Sequence, residues 1–241
     1  MNTESPLSGH ISKRFDNELE AIINSVLTMG GLVETQLNDG ILALMESDST
    51  VAEKVANGDN EINAMEIEID EQCLQILARR QPAASDLRLV VTIMKTITDL
   101  ERIGDKAQKL GIFELELIDK GSTSSQYAKL EHLGNLVSKM LHNALNSFAR
   151  LDDHVALKTI KKDKKVNSEF ESLNRQLITI MMEDPRNIKN ALRVSWCARA
   201  LERVGDHAQN ICENVLFLKH GKDVRHIDYK EVKRQLSKES Y

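Results

Sequence analysis

Two short stretches carry the residues best suited to chemistry. Leu100-Glu101-Arg102-Ile103-Gly104-Asp105-Lys106-Ala107-Gln108 returns almost unchanged, 101 residues later, as Leu201-Glu202-Arg203-Val204-Gly205-Asp206-His207-Ala208-Gln209. Each copy holds a Glu and an Asp four residues apart, which places both carboxylates on one face of a helix. That face continues an apolar stripe through Val90, Met94 and Ile97 in the first copy, and through Val194 and Ala198 in the second. Like charges at this spacing repel by roughly 0.2–0.5 kcal/mol on an exposed helix, and by more where water is scarce. Something is therefore expected to compensate them.

The elements that must hold these acids are helices. Ile11, Phe15, Leu19, Ile22, Val26, Met29, Val33, Leu37, Ile41 and Leu44 step by three or four residues, the pattern of one long amphipathic helix. Ser47-Asp48-Ser49-Thr50 supplies a turn and a new N-cap. A second helix is predicted to run unbroken to about Arg79, with Val51, Val55, Ile62, Met65, Ile69, Cys73 and Ile76 inward, and Pro82 breaks it. Ser85 or Asp86 caps a third helix that passes Asp105 and ends near Ile118. Gly121-Ser122-Thr123-Ser124-Ser125 reads as a linker, after which the pattern begins again. A fourth helix covers about 127–151, Asp152-Asp153 makes the turn, a fifth runs to about Glu183, Asp184-Pro185 stops it, and a sixth covers about 188–219. The polar stretch 220–241 reads as a short helix or a loose tail.

The second half repeats the first almost in register. A shift of 104 carries Gly30, Leu32, Val33 and Leu37 onto Gly134, Leu136, Val137 and Leu141, and Asp48, Asp59 and Asn63 onto Asp152, Asp163 and Asn167. A three-residue deletion at the second turn then reduces the shift to 101. Generic helical periodicity would match the apolar positions but not these glycines and acids as well. The expected fold is all-α: two tandem antiparallel three-helix bundles related by duplication, spanning 1–120 and 121–219, with the tail at 220–241.

Short connections make neighbouring helices antiparallel. Folding back near Gln81 sets Asp59 and Asn63 level with Asp105 and Glu101, and folding back near Asp184 sets Asp163 and Asn167 level with Asp206 and Glu202. Each half is thus expected to hold an oxygen-rich box of three carboxylates and one amide. Such boxes suit hard cations, magnesium, calcium, manganese or iron, better than a structural zinc. The plainer alternative is that Arg102, Arg203 and nearby lysines simply neutralise the acids. Gly104 and Gly205, mid-helix at some cost, point to close approach of a neighbouring helix or a ligand. His207, replaced by Lys106 in the first copy, reads as a surface residue.

Composition narrows the function. Of 241 residues, 41% are hydrophobic, 29% charged and only 4% aromatic, with 3 prolines and 11 glycines, which favours long helices over sheets. The net charge of −5 and the scarcity of aromatics argue against a nucleic-acid binder. Cys73, Cys197 and Cys212 form no CxxC pair and lie on apolar stripes, as packed reduced thiols do. Met1 to Phe15 lacks the apolar core of a signal peptide, and no later stretch approaches the roughly 18 apolar residues of a membrane span, so a cytoplasmic protein is expected. Ferritin-like iron storage wants a Glu-x-x-His, and none occurs; the nearest pattern, Asp223-Val-Arg-His226, lies unduplicated in the tail. Phosphate-cradling glycine loops, GxSxG and plausible triads are also missing from the sequence. Lys158, Lys161, Lys162, Lys164 and Lys165 form a basic, solvated face, with an acidic partner the second reading.

These residues resemble the PhoU family of phosphate-signalling accessory proteins over nearly the whole chain. The motifs that carry the resemblance are Met29-Gly30-Gly31-Leu32-Val33-Glu34, Asp59-x-x-x-Asn63 with Glu66 and Asp70, Arg80-Gln81-Pro82-x-x-Ser85-Asp86-Leu87-Arg88, and both Glu-Arg-x-Gly-Asp stretches. The resemblance implies tandem three-helix bundles and metal sites, with iron or zinc among the ions, at motifs matching Glu101/Asp105 and Glu202/Asp206. In the second half Glu66 aligns with Phe170 and Asp70 with Asn174, so that box is expected to hold fewer ions or hold them less tightly. The resemblance also implies a non-enzymatic negative regulator of the phosphate-starvation response. Its implied partners are the ATPase subunit of a phosphate ABC transporter and a sensor histidine kinase with its response regulator. A homodimer is the expected assembly, and the membrane is approached only through those partners. The segment 82–88 and the lysine face are the first places to look for contacts. A metal-dependent phosphohydrolase using the carboxylate boxes is the alternative.

Overall fold

The computed structural model describes residues 13–82, 84–118 and 124–225, together with 227, 231, 232 and 234; the side chains of 59, 118 and 124–127 lie outside that description. Ile11 and linker residues 121–123 therefore fall outside it as well. The elements are α1 (Lys13–Glu46), α2 (Ser49–Ala56), α3 (Asp59–Arg80), α4 (Ala84–Ile118), α5 (Ser124–Arg150), α6 (Asp153–Glu183), a 3-10 turn (Pro185–Asn187) and α7 (Ile188–His220). The described residues include no strand.

The duplication is visible in the backbone. Ser47 and Leu151, 104 residues apart, both take a left-handed conformation (φ 52° and 49°). Each is followed by an aspartate N-cap: Asp48 accepts from the amides of Thr50 and Val51, and Asp152 from that of Val155. The halves differ where the predicted second helix breaks. α2 ends at Ala56, Asn57 turns its side-chain amide onto the Glu53 carbonyl at 2.9 Å, and α3 starts after Gly58. The break lets α2 lean on α4. A Cβ on Gly111 would lie 2.6 Å from the Ala52 carbonyl oxygen, so no larger residue fits this crossing. α4 begins at Ala84, placing Ser85 and Asp86 in its first turn and not at its cap.

Within the first half, Arg80 of α3 grips Glu18 of α1 through two bonds of 2.9 and 2.7 Å, an antiparallel pairing. The apolar stripes meet inside, where Ile93, Ile97, Leu100, Ile103 and Leu110 of α4 are fully buried. Each such side chain contributes roughly 1.5–3 kcal/mol relative to leaving it in water. The three cysteines are buried and reduced.

The bundles pack on one another as a pseudo-two-fold pair. α1 runs antiparallel to α5, joined by Ser138 to Asn38 at 2.6 Å and His142 to Glu34 at 2.9 Å. Gly30 lies against Leu145 while its repeat partner Gly134 lies against Ile41, itself the repeat partner of Leu145. Such reciprocal contacts are the mark of an isologous interface. α4 likewise runs antiparallel to α7: Glu116 binds Arg193 at 2.7 Å, the Phe113 and Trp196 rings lie 5.7 Å apart, and Asp99 meets His207 at 2.9 Å.

His207 is therefore not a surface residue. Its side chain is 13% exposed and, with Asn210, it binds Asp99 across the seam. The tail also differs from its polar composition. After α7 closes at left-handed Gly221, Val224 and Val232 return to the core at 3% exposure each. The half-buried Ile227 packs against the core beside them.

Candidate metal centre

The helices bring the acid pairs level with their partners. In the second half Ser195 of α7 donates to Asn174 of α6 at 2.8 Å, which sets the register of the two antiparallel rods. Seven residues along each rod from that contact Glu202 lies opposite Asn167, and eleven along Asp206 lies opposite Asp163. In the first half the Thr98 hydroxyl hydrogen-bonds Glu66, and the Gln108 side chain donates to the Ala56 carbonyl at 3.0 Å. Between those two contacts the same register sets Asn63 level with Glu101 and Asp59 level with Asp105. The Asp59 side chain lies outside the described residues.

The second box is electrostatically strained. Burial, and then the carboxylates of Asp206 and Glu202, push Asp163 up to about 6. Asn167 donates to its Oδ2 at 2.8 Å, while Oδ1 is buried with no hydrogen-bond donor in reach. Glu202, its side chain 11% exposed, is raised by burial and by Asp206, against the pull of Arg199 and Arg203. The neutralisation by arginine weighed above is thus partly realised: Arg199 reaches Glu202 Oε1 at 3.1 Å and Arg203 reaches Asp206 at 2.8 Å. Both arginines lie on the solvent side of α7, and neither partners Asp163. Gly205 sits beneath the box, where a Cβ would lie 3.3 Å from Val166 and 3.8 Å from Asp163 Oδ1. A neighbouring helix accounts for the small residue there.

The first box is richer in acids. Burial raises Glu66, with Asp70 and Asp105 adding to the rise while Thr98 and Arg102 oppose it. Lys106 beside them is lowered by burial and by Lys109. In the second half Phe170 and Asn174 stand at the places of Glu66 and Asp70. Phe170 lies under the Arg199 guanidinium at 5.3 Å, and Asn174 takes the Ser195 hydroxyl. Among the described residues no three His, Cys, Asp or Glu side chains are gathered closely enough to grip an ion as they stand. What the second box offers a cation is an unpartnered buried carboxylate oxygen flanked by two more acids, a donor set suited to a hard ion.

Sequence reasoning missed His207 and Asn210 as partners of Asp99. Their pairing is between bundles, and no period within one helix encodes it. Of the lysine face, Lys158, Lys161, Lys164 and Lys165 are exposed. Among the described residues no helix is long and apolar enough to cross a membrane.

Comparison with known proteins agrees with this architecture. The PhoU domain model matches twice, over residues 26–111 and 130–215. The phosphate-specific transport system accessory protein PhoU homolog of Pseudomonas aeruginosa is 47% identical over 236 residues, covering 98% of each chain. The phosphate-specific transport system accessory protein PhoU of Escherichia coli is 48% identical, covering 96% of this chain and 95% of its own. The crystal structure of PhoU from Pseudomonas aeruginosa superposes with a TM-score of 0.85 at 48% identity, covering 86% of this chain and all of that one. The phosphate transport system regulatory protein PhoU from Streptococcus pneumoniae gives 0.80 at 32% identity, covering 87% and 99%. With a duplicated helical fold, paired acid boxes and matches along nearly its full length, this chain belongs to the PhoU family.

Proposed function

We propose that this protein is a cytoplasmic, non-enzymatic regulator of phosphate uptake and phosphate-starvation signalling. It acts as an adaptor between the ATPase subunit of a phosphate ABC transporter and a sensor histidine kinase with its response regulator, and it restrains the response when phosphate is plentiful. The observation that carries this reading is the presence of both family domains in one chain at near half identity to accessory proteins of phosphate transport. In this reading Asp163, Asn167, Glu202 and Asp206 hold metal in one bundle, and Asp59, Asn63, Glu101 and Asp105 in the other. The ion is iron, zinc, manganese or magnesium, and it fixes the surface presented to the partners by cancelling the repulsion among the acids. A homodimer is the working assembly.

Deleting the gene tests the role. Starvation-promoter reporters are expected to become constitutive in phosphate-rich medium, and intact repression without the protein would refute the proposal. The raised carboxylates of Asp163 and Glu202 also favour, less strongly, a metal-dependent phosphohydrolase. Phosphomonoester turnover with manganese, abolished in Asp105→Ala and Asp206→Ala, would establish that alternative; the adaptor reading expects no turnover.

A further inference from the structure

An open cleft of about 580 Å³ lies on the seam between the bundles, away from the second acid box. Its size falls within the roughly 300–1,000 Å³ typical of small-molecule sites. α4 contributes Lys95 and Arg102, two turns apart on one face, and Arg225 lines it from the turn after α7. α7 supplies Asn210 and Asn214 from the opposite wall.

The charges in the cleft are unevenly committed. Asp99 is buried, and its Oδ1 accepts from His207 at 2.9 Å and Asn210 at 3.0 Å. Asp70 is the other acid on the wall. Arg225 is fastened to Asp223, which places its guanidinium at the rim. Among the described residues neither Lys95 nor Arg102 has a carboxylate within ion-pair distance; the Lys95 ammonium instead lies 5.0 Å over the Phe217 ring. Lys95, Arg102 and Arg225 thus share the cleft with Asp70 and Asp99, while Asp223 draws on Lys95 and Glu66 on Arg102 from farther off.

The pseudo-two-fold supplies an internal control. It generates a twin of this seam on the far side of the molecule, where Lys95 is replaced by Trp196 and Asn214 by Phe113, each 101 residues away in the repeat. There the two rings lie 5.7 Å apart, tilted 40° to one another, at the level that Lys95 and Asn214 take here. At the Asp99 position the twin has Ala200. The same scaffold thus has an apolar, aromatic solution for this level, and one copy has taken the polar one.

We infer that the cleft is a binding site for a phosphate-class oxyanion, held by Lys95, Arg102 and Arg225 with amide donors from Asn210 and Asn214. Guanidinium and ammonium donors give charge-assisted bonds to such an ion, and the side-chain amides of the two asparagines complete its shell. The ligand is either free orthophosphate or the terminal phosphoryl group of a monoester. The cleft adjoins the first acid box through Asp70, Thr98 and Arg102, so the inference is tested on metal-free protein.

Titration calorimetry on the full chain, stripped of metal with a chelator, tests it with sodium orthophosphate and O-phosphoserine as probes. Wild type is expected to bind orthophosphate saturably. Lys95→Met is expected to weaken binding by at least about tenfold, the usual effect of losing one charged hydrogen bond. Lys95→Trp/Asn214→Phe, which copies the twin seam, is expected to abolish it. Binding of orthophosphate alone assigns the free ion, and binding of both probes assigns the phosphoryl group. Failure of wild type to bind orthophosphate, or equal binding by Lys95→Met, overturns the inference. The single variant decides the matter if the double one does not fold.

Discussion

Replacing Asp163 by Asn probes the second acid box without disturbing its shape. Burial and the two neighbouring acids raise this carboxyl from 3.8 to about 6 in the folded chain. At about 1.4 kcal/mol per unit, keeping it ionised costs about 3 kcal/mol. Asp206 beside it has a side chain 32% exposed, so water screens part of the repulsion and about 2 kcal/mol is the better figure. An asparagine keeps an oxygen to accept the Asn167 amide, now 2.8 Å away, and removes the charge. Because the folded value lies above the unfolded one, the penalty is absent well below pH about 4, grows as pH rises, and is complete above about 6. Metal-free Asp163→Asn should therefore melt about 4–8 °C above metal-free wild type at neutral pH and match it under acid conditions. Adding manganese, iron or zinc should raise the melting temperature of wild type more than that of the variant. Calorimetric scans at acid and neutral pH, with and without metal, measure all of this. A metal-free variant no more stable than wild type at neutral pH would refute the claim that the box stores repulsion.

Two further substitutions test the packing of α4. Glu114 is fully buried on α4, and burial pushes its carboxyl up to about 7. Its folded value also exceeds the unfolded one, so wild type loses stability as pH climbs from about 4.5 to 7; Glu114→Gln should gain up to about 3 kcal/mol above that window and nothing below it, read by denaturant titration at two pH values. Gly111→Ala places a methyl 2.6 Å from a backbone oxygen of α2. It should cost about 1–3 kcal/mol and expose the α2–α4 contact to hydrogen exchange; wild-type stability would show that the crossing is looser than described.

The periodicity of the chain carried the helices and, through the fold-back points, the level pairing of Asp163 with Asp206 and of Asn167 with Glu202. Those features are local or depend on one short turn, and a single amphipathic stripe encodes both. The break at Asn57-Gly58 carries a local signal, since Asn-Gly is a turn dipeptide, but Val51, Val55 and Ile62 keep helical spacing across it and mask that signal. The Asn57 side chain on the Glu53 carbonyl and the crossing of α2 over Gly111 together favour the bent form. The seam was hidden for a related reason. His207 follows Asp206 on α7, and its partner Asp99 lies 108 residues earlier on a helix of the other bundle. Nothing within either helix announces that contact, although the repeat, once folded about its pseudo-two-fold, requires a seam of this kind. Val224 and Val232 were similarly lost in a polar stretch, since two isolated valines have no period.

The central claim is that both copies of the acid pair hold metal. Elemental analysis of protein purified from medium supplied with iron, manganese and zinc tests it most directly, comparing wild type with the Glu101→Ala/Glu202→Ala double variant. Wild type is predicted to carry stoichiometric metal that the folded variant largely loses. Metal-free wild type, or a variant loaded to the same level, would contradict it.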